Sequence, residues 1–124
     1  MNAQAPIDFQ EIYLSTWTEP DPEQRRSVIE AVWAPEGRLV ISPAGMTLNG
    51  TEEISTHIAR VHADMIAGKQ LTFSYDQQLA ADDATLLRWS MTAPSGDVVG
   101  RGVDVVFRNA DGQVTTLYMF MGVK

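Results

Sequence analysis

The chain of 124 residues contains no cysteine. That excludes a disulfide framework, a thiolate nucleophile and a cysteine-ligated metal, and it fits a reducing compartment. Basic residues are scarce: nine Lys and Arg stand against sixteen Asp and Glu, leaving a net charge of −7. Neutralising nucleic-acid phosphates takes clustered cations, and these are scattered, so no nucleic-acid partner is expected. No apolar run is long enough for a membrane span, and the opening MNAQAPIDFQ has neither the basic start nor the apolar core of a signal peptide. A cytoplasmic protein with no membrane partner is expected. Also missing are a nucleotide-binding glycine loop, zinc-ligand spacing and a nucleophile elbow, so no cofactor is expected. His57 and His62 point about 140° apart around a helix, which keeps them from converging on one metal.

What is present is ordinary globular material, with 44% hydrophobic and 20% charged residues. At this size, folding removes roughly two-thirds of the extended chain's surface from water, enough for one domain spanning residues 1–124. DFQE, with Asp8 and Glu11, has the form of a capping box, and Phe9, Ile12, Tyr13, Thr16 and Trp17 follow on one helical face. Asp21, Pro22 and Gln24 open a second helix whose apolar face is Val28, Ile29, Val32 and Trp33, and which stops before Pro35 and Gly37. RLVIS is a short strand. Asn49-Gly50 is a turn, and Thr51 caps a third helix that carries Ile54, Ile58, Val61 and Met65 and ends at Gly68. Beyond residue 70 come LTFSYDQQL, ATLLRWSMTA, DVVGRGVDVVFR and QVTTLYMFMGV, separated by turns short enough for antiparallel hairpins. Long neighbouring strands coil. The expected fold is therefore α+β, with three N-terminal helices on the concave face of a strongly curved, mainly antiparallel sheet.

One residue conflicts with its surroundings. Asp104 lies in the apolar stretch GVDVVF, and a buried carboxylate costs several kcal/mol unless it is neutral or well bonded. Alternation puts Val99, Arg101, Val103, Val105 and Phe107 on one face of this strand, and Gly100, Gly102, Asp104, Val106 and Arg108 on the other. The two glycines beside Asp104 leave room for a pocket, or else mark a bend of the sheet. In LLRWSM, Arg88 can approach Asp104 and keep it ionised if its face is concave; on the convex face it is a solvated or contact residue. His57 or His62 can reach the pocket mouth.

The segments YLSTWTEPDPEQRRSVIEAVWAPEGRLV, LNGTEEISTHI and GVDVVFRNADGQV resemble the first helices, third helix and hairpin core of the nuclear transport factor 2-like superfamily, in its SnoaL-like and ketosteroid-isomerase-like branches. The resemblance covers nearly the whole chain and implies a cone-shaped, cystatin-like α+β barrel. Matched through NADGQV, Asp104 takes the place of an aspartate that stays protonated and donates a hydrogen bond to a developing oxyanion. Matched through YLSTWTEPD, Tyr13 takes the place of the oxyanion-hole tyrosine. The resemblance also implies ligand-lining roles for Trp17, Leu117, Met119 and Met121, and for Ser42 in VISPAG, where the isomerase carries its aspartate base. A serine hydroxyl is no base near neutral pH, so steroid isomerase activity of that type is not expected unless another group enters the site. A small, largely apolar molecule is the implied ligand, and isomerisation, cyclisation and dehydration are the implied chemistries. A noncatalytic binder is the alternative. A further one is an assembly module, since the fold often forms homodimers through its open sheet face, here Val103, Val105 and Phe107.

Overall fold

A computed structural model describes residues 9–122. Helix α1 (Phe9–Thr18) buries Phe9, Tyr13, Thr16 and Trp17, the stripe its spacing predicts; Asp8, the expected cap, lies outside the described residues. Helix α2 (Pro22–Val32) starts as expected, with Pro22 at its first turn and the Asp21 side chain accepting the Glu23 N–H at 2.9 Å.

Strand β1 (Trp33–Ser42) begins well before RLVIS, so Trp33 opens a strand instead of closing a helix. Pro35 and Gly37, which read as breakers, are accommodated because the pairing of β1 with the last strand is irregular between Trp33 and Arg38. Strand β2 (Met46–Asn49), absent from the sequence reading, folds back on β1 as an antiparallel partner. Helix α3 (Gly50–Val61) buries Ile54 and Ile58, and its cap position is Asn49 instead of Thr51; Glu53 accepts the Asn49 N–H at 2.9 Å. Its expected continuation to Gly68 exists, but with π-helical geometry from His62 to Gly68.

The four later strands are close to where alternation places them: β3 (Thr72–Ala81), β4 (Ala84–Thr92), β5 (Val98–Arg108) and β6 (Val114–Met121). The sheet order is β2-β1-β6-β5-β4-β3, antiparallel throughout except for the parallel β1–β6 pair. Three helices thus pack on one six-stranded mixed sheet, the expected α+β architecture. Tyr13, Ile29, Leu39, Ile54, Ile58, Leu87, Val106 and Leu117 are wholly buried between the layers. Among the described residues no helix is long and apolar enough to cross a membrane.

Candidate functional site

The register of the sheet decides what faces the helices. Asp104 lies opposite Leu87 on one side and Met119 on the other, and these side chains share its face. Gly102 lies between Trp89 and Met121, and Gly100 opposite Met91. Val106, next along, joins Leu117 and Thr85 in the buried core. Arg88 pairs with Val103 and so falls on the opposite, convex face; it does not approach Asp104 from the cavity side.

The glycines have a different purpose from the one their sequence suggests. A Cβ at Gly102 would overlap the Trp89 indole and sit 2.7 Å from the Phe120 carbonyl oxygen. At Gly100 it would fall 2.8 Å from the end of Met91. Their missing side chains therefore admit residues of β4 across the strand, and the space they free is filled, not empty. With the indole seated against Gly102, Trp89 Nε1–H reaches Asp104 Oδ1 at 3.0 Å. Sequence reasoning missed Trp89; a large aromatic opposite a strand glycine is the signal that would have found it, once the register is known.

Asp104 is 2% exposed. Burial pushes its carboxyl from the ordinary 3.8 up to about 7, and the bond from Trp89, which favours the charged form, opposes this only in part. It borders a cavity of about 250 Å³ whose walls are otherwise nearly all apolar or aromatic. Trp89, Tyr75, Phe73 and Trp17 supply aromatic surface, and Met46, Met65, Met91, Met119 and Met121 all contribute thioethers. Methionine side chains adapt to irregular shapes, which suits a ligand surface. The exposed Ala44, Met46 and Met121 mark the cavity's rim.

Of the residues singled out from the sequence, Asp104, Trp17, Met119 and Met121 line this cavity. Tyr13, Ser42 and Leu117 do not. Leu117 has the parity of Met119 but lies one pleat deeper, where it is fully buried against Val106 and Leu39. Ser42 is exposed at the end of β1, and it is the preceding residue, Ile41, that faces inward. Tyr13 is fully buried behind the lining. Among the described residues its hydroxyl makes no hydrogen bond of ordinary geometry, and it is pushed well above its usual range by burial first and the nearby Asp104 second, with Trp17 opposing the shift. Tyr75 is raised for the same reasons, with burial ahead of the influence of Tyr13 and Asp104.

The histidines divide. His62 is buried, and its Nδ1 hydrogen-bonds the Trp17 carbonyl oxygen at 2.8 Å, pinning the π-helical segment to α1; a carbonyl can only accept, so Nδ1 carries the proton. His57 is half-buried and lines the cavity, its ring edge-on to Trp17 at 6.2 Å. Among the described residues no group of three His, Cys, Asp or Glu could hold a metal ion.

Residues 11–117 match the SnoaL-like domain family. No curated protein matches the chain. Among solved structures, a proposed isomerase of the SnoaL-like family from Agrobacterium tumefaciens str. C58 has a TM-score of 0.81 at 26% identity, over 91% of this chain and 93% of that one. A protein of ketosteroid isomerase-like fold from Catenulispora acidiphila DSM 44928, in complex with trimethylamine, has a TM-score of 0.72 at 18% identity, over 93% and 85%. A proposed SnoaL-like polyketide cyclase from Jannaschia Sp. CCS1 has a TM-score of 0.65 at 20% identity, over 98% and 91%. The match spans most of the sequence and the shared fold extends over nearly all of it: the chain belongs to the SnoaL-like domain family.

Proposed function

We propose that the cavity binds a small, largely apolar molecule carrying one oxygen, and that Asp104 hydrogen-bonds that oxygen. The observation that carries this reading is a single acid, 2% exposed, bordering a cavity otherwise lined almost wholly by apolar and aromatic side chains, with Trp89 its one hydrogen-bond partner among the described residues. Core filling gives no reason for such a group. With one carboxyl oxygen held by Trp89, the other is available to a ligand. In its neutral form it donates to a carbonyl and strengthens that bond as the oxygen gains negative charge, the requirement of isomerisation and cyclisation through an enolate-like intermediate. Tyr13 lies outside the cavity lining and stays neutral, so it does not share the ligand's oxygen.

Titrating cyclohexanone against the fluorescence of Trp17 and Trp89 tests binding. Asp104→Leu should weaken affinity about tenfold, the equivalent of one hydrogen bond, whereas Asp104→Asn, whose amide still donates, should retain it. Equal affinity for cyclohexane and cyclohexanone would contradict this reading.

An assembly reading has its own support. Val103, Val105 and Phe107 share the convex face with Tyr118 and with Phe120, which is 42% exposed. We propose that this face pairs with a second copy of the chain. Light scattering at micromolar concentration should give twice the chain mass, and Phe120→Glu should halve it.

A further inference from the structure

An acid that polarises a carbonyl achieves little unless a base removes a proton from the neighbouring carbon, and Ser42 is both non-basic and outside the cavity. We propose that His57 is that base, taking a proton from the carbon next to the carbonyl whose oxygen Asp104 holds. The proposal rests on the reading of the cavity given above.

Three observations support it. His57 and Asp104 border the same cavity, one from the helical wall and one from the sheet, so a ligand that fills the cavity touches both. Neither ring nitrogen of His57 is hydrogen-bonded within the described residues, in contrast to His62, whose Nδ1 is committed to Trp17. The surroundings also push the two groups in opposite directions. Burial first, and Arg60 on the same helix second, lower His57 below its ordinary 6.5, leaving it a neutral acceptor, while burial raises Asp104 to about 7. Opposed shifts of this kind separate an acid from a base at one pH. Across the cavity, Asp104 and Tyr75 are the titratable groups that face His57; from α1 it meets the neutral Trp17.

The step balances without a further reagent. His57 takes the proton, the C–H electron pair becomes a carbon–carbon π bond, and the carbonyl π pair moves onto the oxygen, which the Asp104 hydroxyl holds. The imidazolium then returns a proton to the same carbon or, in a β,γ-unsaturated ketone, to the γ carbon. A small ketone with acidic α-hydrogens is thus the substrate class.

Exchange of the α-hydrogens of cyclohexanone for solvent deuterium, followed by NMR, tests this without knowledge of the natural substrate. The full-length protein should accelerate exchange above buffer, in a bell-shaped pH profile whose acid limb lies below 6.5 and whose alkaline limb lies near 7. His57→Gln should lower the rate at least a hundredfold, leave cyclohexanone affinity within about threefold, and abolish the acid limb. Added imidazole should restore part of the rate to His57→Ala, which a purely structural role would not allow. Unchanged exchange in His57→Gln, with Asp104→Leu still impaired, would overturn the base assignment and leave the binding reading standing. Wild-type exchange no faster than buffer, with cyclohexanone bound, would also overturn the base assignment alone; failure of cyclohexanone to bind would overturn it together with the reading beneath it.

Discussion

The concave face of the sheet behaves differently at its two ends although the same strands build both. At the deep end Leu39, Leu117 and Val106 lie side by side with Tyr13, Ile54 and Ile58 in the same buried cluster, all wholly buried. Two pleats further along, the same faces of β6 and β5 present Met121 and Gly102, and the layer opens into the cavity. Asp104 and Met119 stand at the seam. Branched side chains fill the deep end so that nothing else fits, whereas at the open end methionines and indoles, two of these side chains seated against the strand glycines, border a shaped space with one acid at its edge. Packed core and open cavity are thus divided along the length of a strand, not between separate layers.

Truncation is the strongest way to break this comparison. Leu117→Ala should reduce unfolding free energy by about 2–5 kcal/mol, because the deep end cannot collapse around the cavity it leaves. Met121→Ala, on the same strand and face but 39% exposed at the rim, should cost less than about 1 kcal/mol. Denaturant unfolding of both variants checks the contrast, and equal losses would erase it.

Next in size is the pH dependence that the seam imposes. Below about pH 3.8 Asp104 holds its proton in both states; between there and about 7 only the folded chain keeps it. Stability from this group is therefore full at acid pH and is lost as pH rises through that window, by about 4 kcal/mol in all. Denaturant melts at a series of pH values should show this slope in the wild type and its loss in Asp104→Asn.

A smaller effect sharpens the role of the open end. Gly102→Ala forces the Trp89 indole away from β5 and should cost about 1–3 kcal/mol. It should also release the Nε1–H bond to Asp104 and raise that carboxyl further, since the bond favours the charged form. A Trp89 indole N–H resonance unchanged in the variant would argue against the proposed packing.

Much of this was legible in the sequence, for identifiable reasons. Period-two alternation fixes the face of Asp104 whatever the register, and the capping residues and hairpin turns fix the order of elements. The resemblance carried by GVDVVFRNADGQV added the role now proposed for the acid. The partner of Gly102 was not legible, because Trp89 is opposite it only in one register of the β4–β5 hairpin. Nor was the rotation of α3 against the sheet, which turns His57 into the cavity, while His62, in the π-helical turn that follows, is held against α1. Pro35 and Gly37 concealed the start of β1, since irregular pairing tolerates residues that a regular strand rejects.

Carbon-13 NMR titration of the Asp104 carboxyl, assigned by its loss in Asp104→Asn, reaches the central claim most directly. A midpoint near 7 is predicted for an acid held neutral beside an apolar cavity. A midpoint near 3.8 would mean that water solvates the group, and the proposed acid of this site would be an ordinary carboxylate.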